Sequence, residues 1–192
     1  MNTRLKVLVA EDEMLILMGL KSNLEELGHE VIEATNGEDA IEKATKEQPD
    51  LLVMDISMPN IDGIEAIKII NQKLFIPSII ISAYHNEELI RRATEEGVLN
   101  YLVKPVDKRD LKVAIEVSLA RYEEFKNIQY ELDDTKKALE ARKYIEKAKG
   151  ILMENKELKE PDAMKKLQEM SRNRNKKLVE VAKDIIELES IL

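Results

Sequence analysis

The chain has no cysteine and no tryptophan, only two histidines, and 4% aromatic residues. Without thiols, disulfides, zinc–thiolate sites and cysteine nucleophiles are excluded. His29 and His85 are too few for a histidine-rich metal site and match no catalytic pattern, so both read as ordinary surface residues. No run approaches the ~18 consecutive apolar residues of a membrane span. The N-terminal residues Met1-Asn2-Thr3-Arg4 pass straight into a strand-like run, with no signal-peptide core between. A cytoplasmic location and no membrane partner are expected.

What is present suits a globular chain: 44% hydrophobic and 35% charged residues over 192 positions, enough for one large domain or two small ones. The net charge of -8 argues against a simple nucleic-acid binder. That charge is unevenly placed, however. Residues 1–130 carry 15 basic and 24 acidic side chains, a balance of -9, whereas 131–192 carry 15 and 14, a balance of +1. Within Ala163-Lys183, seven basic residues face only Glu169 and Glu180. Because salt screens charges beyond ~10 Å, such a segment holds a local positive field on an acidic chain.

Five short runs, Leu5-Ala10, Glu30-Ala34, Leu51-Asp55, Ser78-Ser82 and Leu99-Val103, alternate with helix-like stretches near Met14-Leu27, Gly37-Lys46, Gly63-Lys73 and Glu87-Glu96. Val7-Leu8-Val9, Leu51-Leu52-Val53 and Ile79-Ile80-Ile81 are apolar without alternation, which requires cover on both strand faces. The pattern predicts an α/β fold, a five-stranded doubly wound parallel sheet whose site lies at the carboxyl ends of its strands. After Asp107, a helix N-cap with Asp110 three residues on, the chain stays helical, with no Pro or Gly before Gly150. Leu111, Ile115, Ser118, Tyr122, Phe125, Gln129, Leu132 and Leu139 recur at three- and four-residue steps, a seam suited to a short coiled coil or a docking helix. This long connecting helix is expected to end near Met153. Helices over about Pro161-Met170 and Lys176-Leu192 then complete a small three-helix all-α domain.

Glu11 and Asp12 follow the first strand, Asp55 ends the third, Ser82 ends the fourth and Lys104 follows the fifth. In a parallel sheet all five project from one edge. A single strand-end Asp commonly caps a helix; five such residues at five strand ends argue for a site. Three gathered carboxylates repel one another unless a cation sits among them, and Mg2+ prefers carboxylates with water and phosphate oxygens. A carboxylate beside Mg2+ can attack a phosphoryl group while Lys104 neutralises the transferred charge.

From Arg4 to Arg121 the chain resembles the receiver domain of two-component response regulators. The carrying motifs are Val9-Ala10-Glu11-Asp12-Glu13, Val53-Met54-Asp55-Ile56-Ser57-Met58-Pro59, Asp62-Gly63, Ile81-Ser82-Ala83 and Val103-Lys104-Pro105. The resemblance implies a flavodoxin-like receiver with Asp55 as phosphoacceptor. It also implies an Mg2+ site from Glu11, Asp12, Asp55 and the Ser57 carbonyl, a Ser82–Tyr101 switch pair, Lys104 on the phosphate, and a cis Lys104–Pro105 bond. Glu11 stands where the family more often has Asp, a variation that leaves metal binding intact.

The segment Leu139-Glu140-Ala141-Arg142-Lys143-Tyr144-Ile145-Glu146-Lys147-Ala148-Lys149-Gly150-Ile151-Leu152-Met153 resembles the first helix of the ANTAR domain, an RNA-binding antiterminator module. Ala163-Met164, Leu167, Asn175-Lys176-Lys177-Leu178 and Val181-Ala182 fit its next two helices. Two positions depart from that pattern. Gln168 stands where the family usually has Arg, and Met164 where an aromatic often follows the alanine. No aromatic follows Tyr144, so base stacking falls to other groups. The candidate RNA contacts are Arg142, Lys147, Lys149, Lys165, Arg172, Arg174, Lys176 and Lys177, with Ala141, Ala148 and Gly150 permitting close approach of a loop.

The resulting expectation is a receiver over 1–121, a linker or coiled-coil helix over 122–138 and an ANTAR-like domain over 139–192. Its function would be phosphorylation-controlled antitermination through RNA hairpins, with a sensor histidine kinase as phosphodonor and a homodimer when phosphorylated. It would not be an enzyme beyond slow loss of its own phosphate. Docking of a protein partner or of DNA by the helical domain is the alternative.

Overall fold

The computed structural model describes residues 4–84 and 86–189; His85 and the end of the last expected helix, 190–192, lie outside them. Five strands, β1 (Lys6–Ala10), β2 (Glu30–Ala34), β3 (Leu51–Asp55), β4 (Ser78–Ser82) and β5 (Asn100–Val103), alternate with helices α1 (Met14–Glu26), α2 (Gly37–Glu47), α3 (Gly63–Asn71) and α4 (Glu87–Glu95). Helices α5 (Lys108–Lys156), α6 (Glu160–Arg174) and α7 (Leu178–Glu189) follow. The strands form one parallel sheet in the order β2-β1-β3-β4-β5.

The unbroken apolar runs become the central strands because both sheet faces are covered. Leu8, Leu52, Met54 and Ile80 point to the face packed by α2, α3 and α4, through Ala40, Ala44, Ile64, Ile67, Ile70 and Ala93. Val7, Val9, Leu51, Val53, Ile79 and Ile81 point to the other, packed by Leu17, Leu20 and Leu24 of α1 and by Leu111, Ala114 and Ile115 of α5. Each large side chain buried this way contributes about 1.5–3 kcal/mol. The edge strand β2 is less covered, in keeping with its polar Glu30 and Glu33.

Helix starts follow local chemistry. Asn36, Asp62 and Asn86 cap α2, α3 and α4 through their side-chain oxygens. Asp107 Oδ1 accepts from Arg109 N and Asp110 N at 2.7 and 2.9 Å, while Asp110 Oδ2 accepts from Asp107 N at 3.2 Å. This is a reciprocal capping box with Asp in the usual place of Glu. The backbone donors of Asp110 and Arg109 hold the Asp107 carboxyl below the ordinary range.

From that cap α5 runs for 49 residues, through Gly150 and past the expected end near Met153. The chain divides into two compact units, Met1–Phe125 and Lys126–Leu192, and α5 contributes to both. In the second unit Ala148, Leu152, Ala163, Leu167, Val181, Ala182 and Ile185 form the core. Helix α6 opens with Pro161 in its first turn and ends at Asn175, whose left-handed conformation (φ 48°) stops it. It is a turn longer than the apolar spacing indicates, because Ser171-Arg172-Asn173-Arg174 is helical without being apolar. Helix α7 begins at Leu178 rather than Lys176, since Lys176 and Lys177 form the turn: Ser171 Oγ donates to Lys176 O, and Lys177 N donates to Glu180 Oε2. Among the described residues no helix is long and apolar enough to cross a membrane.

Candidate phosphoacceptor site and basic helical unit

The parallel register brings the strand ends together. Asp55 pairs with Ile81 and Ser82 with Val103, and Lys104 N donates to Ser82 O at 2.8 Å. Carboxylate oxygens of Glu11, Asp12 and Asp55 all lie within 4.8 Å of one another. Glu11 and Asp55 are buried, whereas Asp12 is exposed. Lys104 Nζ sits 2.7 Å from Asp55 Oδ1 and 2.7 Å from Glu11 Oε2. Among the described residues that buried Glu11 oxygen has this charge contact and no hydrogen-bond partner. Asp55 Oδ2 accepts from Ser57 N at 2.7 Å, and Glu11 Oε1 from Glu13 N at 3.3 Å.

Electrostatics mark the cluster as short of positive charge. Burial pushes the Glu11 carboxyl above its ordinary range, the Asp55 charge adds to this, and Lys104 only partly opposes it. Burial also acts to lower the Lys104 ammonium, but its contacts with the Asp55 and Glu11 carboxylates outweigh burial and hold it above the ordinary lysine range. Among the described residues this cluster of three carboxylates has one ammonium, paired with two of them. The donors are all hard oxygens, two buried and one facing solvent, and a buried oxygen lacks a directed partner: the set fits a small divalent cation.

Ser82 and Tyr101 are joined through the backbone of Tyr84. Ser82 Oγ accepts from Tyr84 N at 3.2 Å, and Tyr101 Oη donates to Tyr84 O at 2.7 Å. Ser82 is buried and Tyr101 is half-buried against the core face that carries Ile80. The Lys104–Pro105 bond is cis. Sequence reasoning missed Tyr84, and had no signal for it, because only its main chain takes part.

Gly63 has a role that the motif names without explaining. A Cβ built there would stand 2.0 Å from Asp55 O. The start of α3 therefore lies directly on the backbone of Asp55, with Gly63 N donating to Ile56 O at 3.2 Å. Gly63→Ala is expected to lower unfolding free energy by about 1–3 kcal/mol, since main chain rather than a flexible side chain must yield. Urea unfolding of the two proteins checks this.

In the second unit the predicted basic residues divide into two sets. Lys149 Nζ is 2.6 Å from both Glu146 Oε2 and Glu160 Oε1; Asp184 Oδ2 takes Lys176 at 2.8 Å and Arg174 at 3.5 Å. Among the described residues Arg142, Lys147, Lys165, Arg172 and Lys177 make no ion pair, and all five are exposed. The expectation that Ala148 admits a loop is corrected: it is fully buried in the bundle core. His29 also differs from its surface reading. It is half-buried, accepts from Leu5 N at 3.4 Å, and burial lowers its pKa.

Comparison with known proteins decides the family. A family model of the response regulator receiver domain matches residues 7–116, and one of the ANTAR domain matches 133–186. This chain is a response regulator with an ANTAR domain. The response regulator is 39% identical over 183 residues to the transcriptional regulatory protein PdtaR of Mycobacterium tuberculosis, spanning 95% of this chain and 89% of that one. Its fold matches a CheY-like receiver protein from Methanospirillum hungatei, with TM-score 0.60, 27% identity, and coverage of 64% of this chain and 98% of that one. A CheX–CheY–BeF3–Mg2+ complex from Borrelia burgdorferi gives TM-score 0.55 at 27% identity, covering 57% of this chain and 85% of that one. The response regulator is thus phosphorylation-controlled and has an RNA-binding antitermination role.

Proposed function

We propose that Asp55 is the residue phosphorylated, by a sensor histidine kinase, and that the phosphoryl group changes how the ANTAR unit binds paired RNA hairpins. The observation that carries this is the cluster of Glu11, Asp12 and Asp55 with Lys104 between its two buried members. An Asp55 oxygen attacks phosphorus as the bond to the donor nitrogen breaks. Lys104 then balances charge on the phosphoryl oxygens. Glu11, Asp12, Asp55 and the Ser57 carbonyl would hold Mg2+, which when bound neutralises the transferred oxygens. The Borrelia burgdorferi receiver, in a complex with BeF3 and Mg2+, supports the assignment by likeness.

The Ser82 hydroxyl uses an acceptor lone pair on Tyr84 N, so its proton is available to the phosphoryl group. Movement of Ser82 toward that group loosens the Tyr84 backbone, to which Tyr101 is tied. This is the proposed switch. Beside Lys104, a groove of about 470 Å³ between α1 and the segment after β5 is lined by Ile16, Gly19, Leu20, Asn23, Pro105 and Val106. With exposed Met14, Leu15 and Met18 on α1, it offers an apolar face to the kinase.

Phe125, Ile128, Leu132 and Leu139 are exposed on α5, and with Thr135 they follow alternating three- and four-residue steps. This heptad seam supports a coiled-coil homodimer favoured by phosphorylation. We divide the chain functionally into receiver 1–121, connecting helix 122–138 and RNA-binding unit 139–192. Two linked RNA-binding units raise affinity by ~10²- to 10⁴-fold without new contacts. Fluorescence anisotropy with a two-hairpin RNA, with and without acetyl phosphate, tests the proposal. Tighter binding after phosphorylation, steeply weakened by salt, is expected. Equal affinity in both states would refute phosphorylation control, and insensitivity to salt would favour a protein-docking output.

A further inference from the structure

Gly150 stands inside α5, with six helical residues after it. Glycine is the poorest helix former after proline, so an interior glycine needs a reason. Two intramolecular reasons are ruled out. Positive φ among the described glycines occurs at Gly28 and Gly97, so Gly150 has an ordinary helical backbone. A Cβ at Gly150 would meet nothing within 4 Å, in contrast with the 2.0 Å clash at Gly63. Neither the backbone nor, among the described residues, the packing requires glycine here.

Its surroundings point outward. Residues three, four and seven apart share a helix face. Lys147 lies one turn before Gly150, Lys143 two turns before and Glu154 one turn after, and all three are exposed. Glu146, also one turn before, is occupied by Lys149. The apolar side of this stretch, Ile145, Ala148 and Leu152, is turned into the bundle core. Met153, one turn after Gly150, is itself half-buried against that core. A second helix would therefore find little free apolar surface beside Gly150, whereas a polyanion would find two exposed lysines.

We infer that Gly150 is a direct RNA contact, a gap in the side-chain cover of α5 where the sugar–phosphate chain of a hairpin loop settles against bare helix backbone beside Lys147 and Lys143 of the two preceding turns. This rests on the RNA-binding reading above. It adds a specificity device: the site is selected by shape at Gly150 and by charge at Lys143 and Lys147. Even a methyl group at position 150 holds the RNA away.

The test uses full-length wild type, Gly150→Ala, Gly150→Leu and Lys147→Gln. The probe is a pool of fluorescent RNA hairpins with a common stem and randomised loops, enriched on the wild type. Gly150→Ala is expected to raise the melting temperature by roughly 3–6 °C, because alanine favours the helix and has room. Its RNA affinity is expected to fall about tenfold, the worth of one good contact. Gly150→Leu falls further, and both glycine variants keep the wild-type salt slope. Lys147→Gln instead flattens that slope by about 0.7–0.9, the value of one lost phosphate contact. Unchanged affinity in Gly150→Ala would overturn the contact while leaving RNA binding intact. Equal losses for Ala and Leu would overturn it in favour of helix flexibility, and loss of self-association in sedimentation would overturn it in favour of a helix partner. Failure of the wild type to enrich any hairpin would overturn the RNA reading and this inference together.

Discussion

Asp55→Asn is expected to abolish phosphate uptake from acetyl phosphate, and with it every phosphorylation-dependent change in RNA binding. The substitution keeps side-chain volume but replaces the carboxylate proposed as nucleophile with an amide. Both Asp55 oxygens act as acceptors, Oδ1 from Lys104 Nζ and Oδ2 from Ser57 N, at 2.7 Å each. Asparagine has only one acceptor oxygen, so its NH2 must face a donor on one side. The remaining carboxylates, Glu11 and Asp12, do not replace it. Glu11 is buried and held by Lys104 and Glu13 N, while Asp12 lacks the Ser57 amide that fixes Asp55. Intact-mass spectrometry reads the phosphoryl adduct, and hairpin anisotropy reads the output. An adduct on Asp55→Asn comparable to wild type would move the phosphoacceptor elsewhere.

Lys104→Met carries the second large effect, and on stability before activity. Among the described residues Lys104 is the one ammonium between two buried carboxylates. Removing one partner of a buried ion pair leaves uncompensated charge and costs about 3–5 kcal/mol. Methionine fills much of the space, so the loss is electrostatic rather than a cavity. Mg2+ should then recover stability in proportion to its occupancy, about 2.7 kcal/mol at a hundred times its dissociation constant. Urea unfolding with and without Mg2+ measures both numbers. The sign of the interaction is diagnostic: Mg2+ must stabilise the variant more than the wild type, where the ammonium already offsets part of the charge. Equal stabilisation of both proteins would mean that cation and lysine do not share the carboxylates.

Much of this was legible beforehand because its signals are local. Val7-Leu8-Val9, Leu51-Leu52-Val53 and Ile79-Ile80-Ile81 announce strands covered on both faces, and parallel strands must deliver their last residues to one edge. Asp107 and Asp110 announce the start of α5 through a three-residue spacing. Helix ends were less legible. The last turn of α6 carries no apolar residue to mark it, and it stops only because Asn175 adopts a left-handed conformation.

By itself the sequence determined the absence of thiol chemistry, the order of strands and helices along the chain, and the residue types at each strand end. It also determined a positive segment on an acidic chain. These follow from composition and from periods of two and 3.6 residues, which short stretches carry without help from elsewhere. Only the tertiary structure decided that Glu11 and Asp55 are buried with one lysine between them while Asp12 faces solvent. It alone decided that Gly63 is bound to its type by the carbonyl of Asp55, and that Tyr84 links Ser82 to Tyr101 through its main chain. It also showed that Lys149, Arg174 and Lys176 are paired within the bundle, and that a side chain at Gly150 would meet none of the described residues. Each of these depends on which groups folding brings within reach or shuts away from solvent, and burial and Coulomb energy follow from those distances rather than from residue type alone.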